Sequence, residues 1–264
     1  MKSHSVPAAA VLTALLFAAV PASAHGHVDE IVIGGTSHAG YDPTNAPWHP
    51  DQDTAGWPNW ATDNGFVAAS ELLEPSIICH LEARPAPRGL AVAAGATVRL
   101  RWDAWPSSHQ GPVMDYMARC PGSGEKGCAD ADPASLRWFK IAERGQLKLG
   151  AGSGETGYWA TDALRDADLW WDVVIPASLA PGPYVLRHEL LGLHDGGKPG
   201  GAQFYPQCIS LDVGGDGWLA DGDGPPGVLG TELYRSDDEG VLHNIYNDEL
   251  MPEYRIPGPE LYVP

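Results

Sequence analysis

Short alternating segments cut by glycine and proline constrain this chain more than anything else in it. Its 264 residues include 32 glycines and 24 prolines, scattered as turn signals rather than gathered into a linker, and the stretches between them are too brief for long helices. Val98-Arg99-Leu100-Arg101-Trp102-Asp103 alternates apolar and polar residues, the period of a strand with one buried face, and makes Trp102 a core candidate. Leu169 to Ile175, Tyr184 to Leu191 and Ala202 to Val213 read as further strands bounded by Pro or Gly. The pattern predicts an all-β fold, an antiparallel β-sandwich. Gly35 to Glu74 lacks sustained periodicity and is rich in Pro, Asn, Asp and Trp, so it reads as a long functional loop with a helical turn or two. Asp132-Pro133-Ala134-Ser135-Leu136 has the layout of a short helix start, with Asp as cap and Pro in the first helical position.

The first 24 residues have a different character. Lys2, the apolar run Val11-Leu12-Thr13-Ala14-Leu15-Leu16-Phe17 and the small-residue site Ala22-Ser23-Ala24 form the layout of a secretory signal. Cleavage after Ala24 is expected to make His25 the first residue of a secreted, extracellular chain, with 25–264 as a single domain and no appended module. The apolar run is too short to span a bilayer. With 16 basic against 34 acidic residues the formal net charge is -18, which makes nucleic acid and anionic membranes poor partners and leaves a neutral polysaccharide compatible. Four cysteines, Cys79, Cys120, Cys128 and Cys208, in an exported chain are expected to form two disulfides, and sequence alone allows three pairings.

A terminal histidine offers a metal two nitrogens, its free α-amine and its ring Nδ1. A second imidazole then completes a three-nitrogen plane that suits Cu(II). The best candidate is His109, in the Pro/Gly-bounded loop Trp105-Pro106-Ser107-Ser108-His109-Gln110-Gly111-Pro112-Val113. Gln203 and Tyr205 fall on the same face of one strand by period two, with Cys208 placed to tether it. Because an α-amine of pKa about 7.7 to 8.0 must lose its proton to bind metal, copper affinity is expected to rise with pH through that range.

His25-Gly26-His27-Val28, Gly40-Tyr41-Asp42-Pro43, Asp63-Asn64-Gly65-Phe66-Val67, Ile77-Ile78-Cys79-His80, Ser108 to Val113, Tyr184 to Glu189, Gly201 to Cys208 and Ile256-Pro257-Gly258-Pro259 succeed one another in this order. Together they resemble the fungal auxiliary activity family 9 lytic polysaccharide monooxygenases, formerly glycoside hydrolase family 61, over nearly the whole mature chain. The resemblance implies an immunoglobulin-like, fibronectin III-like sandwich with long loops and short helices. It implies a copper brace of His25, through amine and ring, and His109, one copper per chain, with Tyr205 as axial residue. It implies that His194 and Gln203 position and activate oxygen beside the metal, and that Cys79 pairs with Cys208 and Cys120 with Cys128. The implied reaction is hydroxylation at C1 or C4 beside a β-1,4 bond of cellulose or a related glucan. It draws on O2 or H2O2 and an external electron donor, small molecule or protein, and the implied enzyme is a monomer.

Motif spacing favours His194 over His188 for the oxygen-positioning role. His27, His38, His49, His80, His188 and His243 are read as structural or surface residues. Tyr41 and Tyr254, on loops near the two chain ends, are candidates for stacking on sugar rings. A different class, a secreted copper- or carbohydrate-binding protein with the brace but little catalysis, is the alternative reading. The chain contains no P-loop or dinucleotide loop, no H-E-x-x-H and no G-x-S-x-G, and nothing singles out a glycosidase carboxylate pair.

Overall fold

The computed structural model describes residues 25–121, 127–152, 154–217, 226–246 and 253–263; the leader lies outside them. In chain order the strands are β1 Val28–Ile33, β2 Thr36–Ala39, β3 Val67–Ala68, β4 Leu90–Ala93, β5 Thr97–Trp102, β6 Val113–Arg119, β7 Arg137–Arg144, β8 Gln146–Lys148, β9 Tyr158–Trp159, β10 Trp170–Val174, β11 Gly182–Gly192, β12 Gln203–Gly214 and β13 Val228–Leu229. Two short helices, α1 Ser76–Cys79 and α2 Ala160–Asp166, join them.

A four-stranded sheet runs β10-β5-β1-β2 and a seven-stranded one β13-β7-β6-β11-β12-β3, with β4 added in parallel to β12. The expected strands all form, and the rest of the two sheets is antiparallel. Between the sheets lies a core in which Val98, Leu100 and Trp102 of β5 meet Val113 and Met117 of β6, Leu186 and Leu190 of β11 and Tyr205 and Ile209 of β12. β5 alternates exposed and buried residues as its sequence says.

β11 does not alternate, because the large sheet is covered on both faces. On its outer face, loops, α1 and the segment at the turn Gly230–Glu232 lay Trp57, Ile77, Ile78, Leu233 and Tyr234 over Met114, Tyr116, Trp138, Val185 and Phe204 of the sheet. Every residue of β11 except Gly182 is buried, including a charged pair. Arg187 donates to the carbonyls of Ile77 and Ile78 at 2.8 and 2.7 Å and to Glu189 at 2.8 Å, and Glu189 also accepts from Tyr234. Such a pair exists in a core only when its hydrogen bonds are filled, and here they are.

The 35–74 stretch departs from the expectation in part. Thr36–Ala39 is a strand, paired with β1 through the tight turn at Gly34-Gly35. Beyond it comes the helical turn Pro43–Asn45, capped by Asp42, whose Oδ1 accepts the Thr44 N–H at 2.9 Å. Pro133–Ser135 is a single turn of 3-10 helix capped by Asp132, with Pro at its start, as its sequence indicates. The disulfides are Cys79–Cys208 and Cys120–Cys128. The former ties α1 to the middle of β12.

Candidate functional site

β1, the loop after β5, the end of β11 and the start of β12 meet at one end of the sandwich. His25 precedes β1 and is held through its neighbours Gly26 and His27. The His27 N–H donates to Asp103 Oδ1 at 2.8 Å, and the His27 ring lies 3.1 Å from Asn64 Oδ1. Gly26 is pressed against the chain leaving β5: a Cβ there would stand 2.1 Å from the Ala104 carbonyl oxygen, so no other residue fits between His25 and His27.

His109 is placed by the turn that Trp105 anchors. The Trp105 indole N–H donates to the His109 carbonyl at 2.9 Å, and the His109 N–H donates to Pro106 O at 3.1 Å. The ring is buried. With Nδ1–H donating to Ser108 Oγ, 3.0 Å away, Nε2 presents its lone pair. That Nε2 is buried and has no hydrogen-bond partner, a costly state for a polar atom unless something ligates it. Burial, then the neighbouring His194 and His25 rings, push the His109 imidazolium down to about 4. Burial lowers His25 as well, against the pull of Asp63. At neutral pH both rings are therefore neutral, the form that binds metal.

The rings converge. His25 and His109 stand edge to face with centroids 5.3 Å apart, Tyr205 is 5.6 Å from His25, and His194 lies 3.9 Å from His109. Tyr205 is fully buried, its phenol proton is donated to Gln203 Oε1 at 2.7 Å, and burial raises its pKa, so it stays protonated. Gln203 and Tyr205 share a face of β12 as period two requires. His194 Nδ1 is buried without a partner, and burial lowers this imidazole too. Its place is set by the end of β11 at Gly192 and the 2.9 Å bond from Leu193 N–H to Gln110 O. His188, the alternative, is buried in the sandwich core against Trp102.

Among the described residues no three His, Cys, Asp or Glu side chains gather around one point. Two imidazoles and a third nitrogen from elsewhere are nonetheless a donor set suited to copper, and the lone pair of His109 Nε2 fits that role.

Two sequence candidates are corrected. Tyr41 is only 4 % exposed, with its hydroxyl on Pro50 O. It is a packing residue because its loop folds back beneath Gly56, so no sugar ring reaches its face. Tyr254 is half-buried, wedged against Trp159 and His243 at 4.9 Å each, its hydroxyl donated to Gly240 O at 2.7 Å. Sequence reasoning missed Phe66, 39 % exposed and 6.0 Å from the His25 ring, and Trp105, 4.9 Å from Tyr205. Each lies in a motif already singled out, yet nothing local says that a ring there reaches across to another strand.

Residues 25–254 match Auxiliary Activity family 9 (formerly GH61). The chain is 47% identical over 261 residues to AA9 family lytic polysaccharide monooxygenase A of Malbranchea cinnamomea, covering 98% of this chain and 74% of that one. Among solved structures it is similar to the extended catalytic domain of H. jecorina LPMO9A, with TM-score 0.82, 43% identity and 90% of each chain covered. A cellulose-active polysaccharide monooxygenase from M. thermophila matches at TM-score 0.74 and 28% identity, over 90% of this chain and 99% of that one.

Proposed function

The chain belongs to Auxiliary Activity family 9, a family of copper-dependent oxidoreductases, and from that premise we propose how its residues work on cellulose. The protein is exported, residues 1–24 are removed, and the freed amine and ring of His25 together with the His109 ring take one copper ion. Copper, when bound, supplies the one-electron chemistry that turns O2 or H2O2 into an oxidant for the C–H bond at C1 or C4 beside a β-1,4 linkage. The observation that carries this reading is the buried, unpartnered Nε2 of His109, on a ring whose centroid stands 5.3 Å from that of the His25 ring.

The remaining groups shape the space around that pair. Tyr205 would stand beside the bound copper: its phenol keeps its proton, donates it to Gln203 Oε1, and closes one side of the site with a neutral ring. Neutral His194 offers a buried nitrogen for a hydrogen bond to an oxygen co-substrate, and Gln203 offers an amide beside it. Phe66 supplies an apolar edge next to His25. A hydroxyl placed on C1 or C4 sits on the carbon that already carries the glycosidic oxygen; its O–H bond breaks as C=O forms, a lactone at C1 or a ketone at C4, while the glycosidic oxygen departs with its bonding electrons and takes up a proton. The polymer breaks without a glycosidase carboxylate pair.

The test is an EPR titration with Cu(II) on protein whose terminus is verified as His25, beside protein keeping one extra residue in front. The expected result is an axial, nitrogen-coordinated signal saturating at one copper per chain and lost in the extended form, with aldonic acids or C4-keto sugars released from cellulose only when reductant is present. Equal signals in both forms would overturn amine ligation.

A further inference from the structure

Two loop segments, 58–60 and 81–84, lie side by side. The Trp60 N–H donates to the Leu81 carbonyl at 2.8 Å and the Arg84 N–H to the Pro58 carbonyl at 2.9 Å. Together they form a pocket of about 380 Å3, lined by Tyr41, Pro58, Asn59, Trp60, Glu82 and Arg84. Small-ligand sites run from about 300 to 1,000 Å3, so this one has room for a short sugar segment.

The backbone around the pocket is held in place. His80 and Glu82 have φ of +85° and +51°, a region that few residues with a Cβ enter. The His80 ring fixes its own loop: Nδ1 accepts the Leu81 N–H at 2.9 Å and Nε2 donates to the Gly65 carbonyl at 3.0 Å. The second bond ties the pocket to the segment carrying Phe66, whose ring stands 6.0 Å from that of His25.

Its side chains are uncommitted. Trp60 is 41 % exposed. Among the described residues its indole N–H, the Arg84 guanidinium and the Glu82 carboxylate make no hydrogen bond or ion pair. Asn59 is buried, with Oδ1 accepting the Ala61 N–H at 3.1 Å and Nδ2 donating to the Trp57 carbonyl at 3.4 Å, which leaves one amide hydrogen over. Tyr41 is buried and offers no face, so the flat surface here is Trp60.

An indole plate flanked by a guanidinium, an amide and a carboxylate discriminates between ligands. An apolar one would desolvate both charges without replacing their water. An anion is opposed by Glu82 and a cation by Arg84. A neutral pyranose suits every group: its C–H face packs on the indole, and its hydroxyls accept from Arg84 and donate to Glu82.

We propose that this pocket is a carbohydrate subsite, built from residues other than the histidine pair, in which Trp60 stacks on a ring of a neutral β-1,4-glucan while Arg84 and Glu82 bind its hydroxyls. The choice of β-1,4-glucan rests on the oxidative reading above; the selection of a neutral sugar rests on the pocket alone. These bonds join charges to uncharged hydroxyls at contact distance, so salt screens them little.

The test titrates metal-free protein with cellohexaose and, separately, with hexagalacturonic acid, and follows 1H–15N NMR signals. The Trp60 indole signal, identified by its loss in Trp60→Phe, is expected to shift saturably with cellohexaose and to stay in place with the anionic sugar. Arg84→Gln is expected to weaken cellohexaose affinity at that signal by about three- to tenfold. Trp60→Ala is expected to cut retention on crystalline cellulose by about threefold, and Trp60→Tyr to restore most of it; near-UV circular dichroism checks that each variant is folded. A Trp60 signal that cellohexaose leaves in place, an equal shift with hexagalacturonic acid, an affinity indifferent to Arg84→Gln or a retention indifferent to Trp60→Ala would each overturn the proposal. No copper takes part in these measurements, so their failure leaves the EPR titration and product assay untouched, and failure of those leaves the binding of a neutral sugar here standing.

Discussion

At the scale of single residues, two buried polar groups make contrasting predictions. Tyr205 donates to Gln203 at 2.7 Å inside the site. Tyr205→Phe keeps the ring and leaves a buried amide oxygen without its donor, a loss of about 1 kcal/mol in stability. The ring still covers its side of the metal position, so copper affinity by calorimetry is expected to stay within about threefold while oxidised-product release falls, because Gln203 is no longer held. A collapse of copper affinity would show that the hydroxyl is itself a ligand. His80 is different. Its Nε2 faces the Gly65 carbonyl at 3.0 Å and its Nδ1 accepts the Leu81 N–H at 2.9 Å, a set only the neutral ring can make, and burial pushes its pKa down to about 4. The unfolded ring titrates near 6.5, so the native state holds fewer protons than the unfolded one between those values. This contribution is whole above pH 6.5 and is lost as pH falls towards 4, for about 3 kcal/mol in all. Urea unfolding across pH 4 to 7 is expected to show that slope in wild type and a shallower one in His80→Gln; parallel slopes would remove His80 from the acid sensitivity.

At the scale of elements, β11 shows what strand patterns reveal and what they hide. Tyr184 to Leu191 reads as a strand from its bounds and apolar content, and it is one. Arg187 and Glu189 sit in it like residues of a solvated face, yet both are fully buried, because α1 and the turn at Gly230–Glu232 cover the outer side of the sheet. Period two reports which residues share a face but not whether another layer lies over it. The pair fastens that layer, since Arg187 holds the Ile77 and Ile78 carbonyls next to the Cys79–Cys208 bond. Glu189→Gln strands a buried guanidinium and is expected to cost about 3 to 5 kcal/mol, whereas replacing both residues by apolar ones of similar volume is expected to cost much less. Thermal melts of the single and double variants decide this. Equal losses would mean that the charges matter only as volume.

At the scale of the whole molecule, the site was more legible than its surroundings. His25, His109, Gln203 and Tyr205 come from chain chemistry and strand parity, and ordered motifs add His194, because these residues sit in or beside turns that sequence marks well. Which aromatic rings flank them was not legible: Phe66 and Trp105 reach the site only through the packing of β3 and the post-β5 loop against β12. Burial of Tyr41 and wedging of Tyr254 were hidden for the same reason. Charge, by contrast, reads directly off the sequence at this scale. The 16 cations cannot neutralise 34 anions, and ion pairs such as Arg88–Asp53, Lys198–Asp195 and Arg255–Glu239 are exposed, so each contributes little. Net self-repulsion is then the larger electrostatic effect, and salt screens it over a distance of about 10 Å at 0.1 M. Raising NaCl from 10 to roughly 200 mM is expected to raise Tm at pH 7, while retention on uncharged crystalline cellulose stays unchanged. A Tm that falls with salt would mean that the surface pairs outweigh the repulsion, and retention that falls with salt would place a long-range charge attraction in the grip on the polymer.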